Sequence, residues 1–125
     1  MEWQFLKDRP IYTQIIDQME KAVVSGQYPP SSKIPSIRDL SVEAGVNPNT
    51  MQRALAELER NGLIVTERTN GKFVTDDMEL IQSIKEKFAC QAVNDFIASM
   101  NAIGIQDKNE MLNFIKEMKE NENNS

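Results

Sequence analysis

The chain has 125 residues, 40% of them hydrophobic, with 14 basic and 19 acidic side chains, no histidine, one cysteine and a net charge of −5. That length suits one compact domain, or one domain with an appendage, and the apolar fraction is enough for a core. The composition excludes a disulfide framework and removes histidine as catalyst or metal ligand. No apolar run is long enough to span a membrane.

The N-terminal stretch MEWQFLKDRP lacks a basic region followed by an apolar segment, so it does not read as a secretory signal. The lone cysteine fits a reducing cytoplasm. Met1 to Arg9 reads as an extended lead-in in which Trp3 and Phe5 alternate. They pack on the domain or on a partner subunit, or the terminus frays. Pro10 opens a helix with a stripe of Ile11, Ile15, Met19 and Val23, flanked by Tyr12, Ile16 and Ala22. Ser25-Gly26 ends it. Gln27 to Pro35, with Pro29-Pro30 and two serines, is predicted to be a loop. Lys33 in this loop can touch phosphate or simply stay solvated.

Pro35 to Gly62 is the stretch the rest is arranged around. Ser36 caps a helix, with Asp39 near the positive end. Ile37, Leu40 and Ala44 recur at helical spacing, and Gly45 stops the helix in the left-handed conformation. Val46 is expected to bury in the elbow. Asn47 is a second cap, and Pro48 fits the first helical position. Met51, Leu55 and Leu58, with Ala54, form the inward stripe, and Gly62 ends the helix. Two short helices joined by a Gly-containing turn make a helix-turn-helix unit. Its second helix carries Asn49, Thr50, Gln52 and Arg53 on its first turns. In such units these positions meet base edges in the major groove of double-stranded DNA. Asn and Gln can bond adenine bidentately, and Arg can bond guanine or a phosphate. Taken singly, each is also explained as a cap or a solvated face.

Leu63-Ile64-Val65 follows as a short strand, Glu67 to Gly71 as a turn that Asn70-Gly71 favours, and Lys72 to Thr75 as the returning strand. Asp76-Asp77 caps the next helix. Leu80, Ile81, Ile84, Phe88, Ala92, Phe96 and Met100 form a broad stripe over about Glu79 to Ala102, with Val93 and Ile97 adjoining, until Gly104 breaks it. Asp107 to Glu110 resembles a capping box. The last helix carries Met111, Leu112, Phe114, Ile115 and Met118, and the terminal ENENNS reads as frayed and disordered.

The run from Pro10 to Val74 resembles the winged helix-turn-helix domain of the GntR family of bacterial transcription regulators. The matching pieces are PIYTQIIDQMEKAVVSGQYPPSSKIPSIRDLS, then AGVNPNTMQRALAELERNGLI, then NGKFV. NPNTMQRAL followed by a short C-terminal part resembles the YtrA-like subfamily. The resemblance implies a mainly α chain with a small β-hairpin (α+β). Residues 1–76 would be the winged helix-turn-helix, and residues 77–125 a two-helix dimerisation or effector region. It implies that Arg38, in the pattern PS-x-R-x-L, contacts DNA, and that the wing tip lays Arg68, Asn70, Gly71 and Lys72 on the minor groove or backbone. Arg38 is otherwise free to pair with Glu43 or Asp39. Other subfamilies often carry arginine where Pro48 and Gln52 stand, so their operator contacts do not transfer there. Asn49 and Gln52 remain as base readers, with Arg53 on a base or a phosphate. Thr50, Asn47 and the cap Ser36 would position the backbone.

The charge is uneven. Lys33 to Lys72 holds six basic and five acidic residues, a balance of +1, and Glu79 to Ser125 holds five and eight, a balance of −3. A two-helix hairpin buries only one face. A second copy is therefore expected against Ile81, Ile84, Phe88, Ala92, Phe96, Met100 and Ile115, as a C2 homodimer on an inverted-repeat operator. Packing back on the winged domain is the alternative. Cys90 is expected to be a buried, inert core thiol. The acidic residues show no paired arrangement and no phosphate-cradling glycine loop occurs, so no enzyme, cofactor or metal site is expected. A small-molecule effector has room only in a groove lined by Phe88, Phe96 and Met100. The functional expectation is a cytoplasmic, dimeric, DNA-binding repressor. The competing one is a winged helix whose exposed faces bind protein without reading DNA.

Overall fold

Side-chain caps and glycines set the element boundaries. In the computed structural model, residues 1–124 are described, with side chains through residue 118. The elements are α1 (Ile11–Val24), α2 (Ile37–Ala44), α3 (Pro48–Arg60), β1 (Ile64–Glu67), β2 (Gly71–Val74), α4 (Met78–Ala102) and α5 (Lys108–Asn124). Ser36 Oγ accepts the Asp39 N–H at 3.1 Å, and Asn47 Oδ1 accepts the Asn49 N–H at 2.8 Å with Pro48 at the first helical position. Each satisfies an otherwise orphaned donor. Asp77 and Asp107 do the same for the Leu80 and Asn109 amides at the starts of α4 and α5. Gly45 ends α2 at φ 68°, where a side chain would be strained.

The core lies among α1, α2, α3 and the hairpin. Ile15, Met19, Ala22 and Val23 of α1 meet Leu40 of α2 and Met51, Ala54, Leu55 and Leu58 of α3. Leu63, Ile64 and Val74 close it from the strands. Val46 is only half-buried in the elbow, and Val42 stays on the surface.

Strands β1 and β2 pair antiparallel with Ile64 opposite Val74 and Val65 opposite Phe73. The segment before α2, expected to be loop, adds a third edge. Lys33 bridges Phe73, Ile34 N–H donates to Lys72 C=O at 3.0 Å, and Val74 N–H donates to Ser32 C=O at 2.9 Å. Pro29-Pro30 prevents a helix there but leaves the amides of Ser31 and Ile34 free to pair, which is what β2 needs on its open side.

The lead-in is ordered along α1. Gln14 is buried. Its Oε1 accepts the Leu6 N–H at 2.8 Å, and its Nε2 donates to the carbonyls of Leu6 (2.8 Å) and Arg9 (2.9 Å). One turn later Gln18 exchanges two bonds with the Gln4 backbone. The two amides stand in for a strand partner. Trp3 and Phe5 stack beyond them, rings 6.0 Å apart.

The chain divides into two compact units, Met1–Glu86 and Lys87–Ser125. The division falls ten residues beyond the expected boundary at 76, because the start of α4 belongs with the first unit. Ile81 and Ile84 are buried there within a single chain. In the second unit Met111 is buried, while Phe96, Leu112, Phe114 and Ile115 are exposed. Helix α5 runs on through the ENENN stretch expected to fray, and Ser125 lies outside the described residues. No helix among the described residues is long and apolar enough to cross a membrane.

Candidate nucleic-acid interface

Helix α3 is divided cleanly. Met51, Ala54, Leu55 and Leu58 are fully buried, which fixes the helix against α1 and α2 and turns Asn49, Gln52 and Arg53 to solvent. Thr50 is half-buried, and Asn47 is exposed while it caps. The Arg53 guanidinium lies over the Tyr12 ring of α1, 3.7 Å from its centroid. Both line an open groove of about 430 Å³ with Ile11, Asn49 and Thr50.

A second groove, about 500 Å³, runs between the start of α2 and the wing. Lys33, Ser36 and Arg38 form one side and Thr69, Asn70 and Gly71 the other. Arg38 is exposed, and among the described residues it has neither of the ion pairs that the sequence offered. Glu43 instead holds the Met1 amino group at 3.1 Å. A helix N-terminus with its free amides beside an unpaired guanidinium favours an anion. Gly71 has φ 105°, and a Cβ there would stand 3.0 Å from Lys33 Cε. Lys33 is thus laid across the wing tip and faces the groove, a place that the proline-flanked loop gave no reason to expect.

The wing is not free as a whole. Arg68, Asn70 and Gly71 are exposed, but the Lys72 ammonium is drawn inward to the Glu59 carboxylate of α3 and to Thr66 Oγ1 at 3.0 Å. Burial pushes the Glu59 carboxyl up, while hydrogen bonds from Lys72 and Thr66 and the charge of Lys72 outweigh it and leave the group below its ordinary value. Lys72 therefore fastens the wing to α3 rather than reaching outward as expected.

Along α4 and α5 the expected pairing residues separate into two sets. Ala92, Phe96 and Ile115 are exposed and Phe88 and Met100 half-buried, whereas Ile81 and Ile84 are already covered by their own chain. Cys90, expected to be core, is exposed. It sits beside the apolar positions of α4 rather than under them. Among the described residues no group of three or more His, Cys, Asp or Glu side chains is placed to hold a metal ion.

Residues 11–74 match the family described as "Bacterial regulatory proteins, gntR family". The whole chain is similar to the uncharacterized HTH-type transcriptional regulator YhcF of Bacillus subtilis, 37% identical over 93% of this chain and 95% of that protein. The HTH-type transcriptional repressor YtrA of the same organism is 43% identical over 54% of this chain and 52% of its own length. Among solved structures, a GntR family transcriptional regulator from Listeria monocytogenes superposes with a TM-score of 0.80 at 36% identity, covering 90% of this chain and 98% of that one.

Proposed function

This chain belongs to the GntR family of bacterial regulatory proteins, a DNA-binding transcription regulator and not an enzyme, and from that membership we propose that it is a dimeric repressor of an inverted-repeat operator. The observation that carries the reading is the division of α3. Its inner face is locked in the core, and its first two turns present an amide pair, Asn49 and Gln52, beside the Arg53 guanidinium. These are the side chains whose donors and acceptors match purine edges in the major groove. Arg38 and the tip residues Arg68, Asn70 and Gly71 would grip the backbone on either side of the second groove.

The unit Lys87–Ser125 would join two copies. Phe96, Leu112, Phe114 and Ile115 stay exposed on it in a single chain, more apolar surface than a solvated hairpin needs. We assign the pairing to Phe88, Ala92, Phe96, Met100 and Ile115. Ile81 and Ile84 hold the start of α4 instead. Two recognition helices would then meet half-sites roughly one helical turn apart, ~34–36 Å or a multiple. Repression would follow from occupying a promoter; the similar YtrA protein, named a transcriptional repressor, supports that reading, and such a regulator would act in the cytoplasm with the DNA.

The test is fluorescence anisotropy with the DNA just upstream of this chain's own gene, followed by the separated half-sites. The proposal expects salt-sensitive binding that scrambled DNA does not compete, much weaker binding to one half-site, and losses in Arg38→Ala and Gln52→Ala. Equal affinity for a single half-site would overturn the inverted repeat. Absence of sequence-dependent binding at low ionic strength would favour a protein partner on the exposed faces.

A further inference from the structure

We infer that Tyr12 is a positioning residue for DNA recognition: its ring is the platform that holds the Arg53 guanidinium ready for an acceptor pair on the duplex. This rests on the reading of α3 as the recognition helix. The guanidinium carbon lies over the ring, 3.7 Å from the centroid, too close for an edge-on N–H approach. Stacking of this kind engages the π-face of the cation and leaves its N–H donors, which lie in the plane, unused. Arg53 makes no hydrogen bond or ion pair within the protein among the described residues, so its five donors stay available. Tyr12 sits one residue into α1, and its neighbour Ile15 is fully buried against the α3 core residues, so the platform is anchored by the same packing that fixes α3. Asn49 and Thr50 line the same groove, which brings the stacked cation beside the first turn that reads bases.

The physical gain is preorganisation. A free arginine loses rotamer freedom when it docks, and a stacked one has already lost part of it before DNA arrives. A stacked contact at an exposed site is worth about a two- to fivefold change in affinity. Replacing the ring should therefore weaken operator binding by that factor, and only while Arg53 is present.

The experiment uses the full chain and a duplex that the wild-type protein enriches from a random library. Anisotropy titrations compare wild type, Tyr12→Leu, Arg53→Ala, the double variant and Tyr12→Phe. The proposal expects a two- to fivefold loss in Tyr12→Leu, no further loss when that change is added to Arg53→Ala, and recovery of most of the affinity in Tyr12→Phe. In the free protein, ring-current shifts of the Arg53 side-chain protons should vanish in Tyr12→Leu and persist in Tyr12→Phe. Additive losses in the double variant would mean that Tyr12 acts only through the fold. A loss in Tyr12→Phe as large as in Tyr12→Leu would mean that the hydroxyl touches DNA directly. Either result overturns the platform while leaving the recognition helix standing. If the wild type enriches no duplex, the DNA reading falls and the platform role falls with it.

Discussion

The Lys72 ammonium of the wing bonds the Glu59 carboxylate at the penultimate residue of α3, with Thr66 Oγ1 3.0 Å away as a third member. Burial pushes the Glu59 carboxyl up, but the hydrogen bonds from Lys72 and Thr66 and the Lys72 charge outweigh it and hold the group below its ordinary value. A carboxyl whose folded pKa is depressed stabilises the protein above its unfolded value and loses that contribution as pH falls through the folded one. Lys72→Ala should cost about 0.5–1 kcal/mol at pH 7. The gap to wild type should narrow once pH drops below about 4.3, the unfolded glutamate value. Urea melts at pH 7 and pH 3 check this, and a constant gap would contradict it.

Gly71→Ala should destabilise the hairpin. The backbone stands at φ 105°, and the new Cβ would press on Lys33 Cε at 3.0 Å. Strain of this kind costs about 1–3 kcal/mol. Adding Lys33→Ala removes the side-chain collision but not the backbone strain, so thermal melts should show partial recovery. Full recovery would mean that the collision was the whole effect.

Gln14→Ala should release the lead-in from α1. It deletes one acceptor and two donors to the Leu6 and Arg9 backbone, at a cost of about 1–3 kcal/mol for the buried groups left unpaired. Amide exchange at Leu6 should accelerate well beyond that of the α3 core. Gln14→Glu keeps the acceptor but loses both donors, so it should loosen Arg9 as well. Unchanged exchange in both variants would show that packing alone holds the segment.

Phe96→Asp or Ile115→Asp should split the proposed dimer without unfolding the chain, since both side chains are exposed in one copy. Sedimentation should move from twice the mass of one chain to one. Affinity for a two-half-site duplex should fall by about a hundredfold or more as the linked second contact is lost. A monomeric wild type would dispose of this prediction.

What was legible in the sequence was local. Ser36, Asn47 and Gly45 act on atoms within four residues of themselves, so their roles follow from residue type and position. The inward stripe of α3 follows from helical period, and it turned Asn49 and Gln52 outward by the same logic. The pairs that shape the interface lie far apart in the chain. Tyr12 with Arg53, Lys33 with Phe73, and Lys72 with Glu59 are set by how elements stack, which spacing does not encode. Gln14 and Gln18 did leave a trace: two amides one turn apart beside an extended lead-in. The apolar stripe of α4 misled in two ways. It counted Ile81 and Ile84 as surface for a partner, and it drew Cys90 into a core that does not enclose it.

The short edge that residues 32–34 add to β2 has a mechanical consequence. Its backbone bonds run from the hairpin straight into the residues that lead to Ser36 and Arg38. The wing cannot swing without dragging the amino end of α2 along. The opening between Arg38 and Asn70 then behaves like a calliper with a fixed jaw, sized by peptide groups rather than by side chains. Such a calliper would hold a bound duplex by its backbone rather than by its bases. Phosphate contacts carry no sequence information, so changes along this seam should shift affinity for every sequence nearly alike, whereas changes on α3 should re-rank one sequence against another.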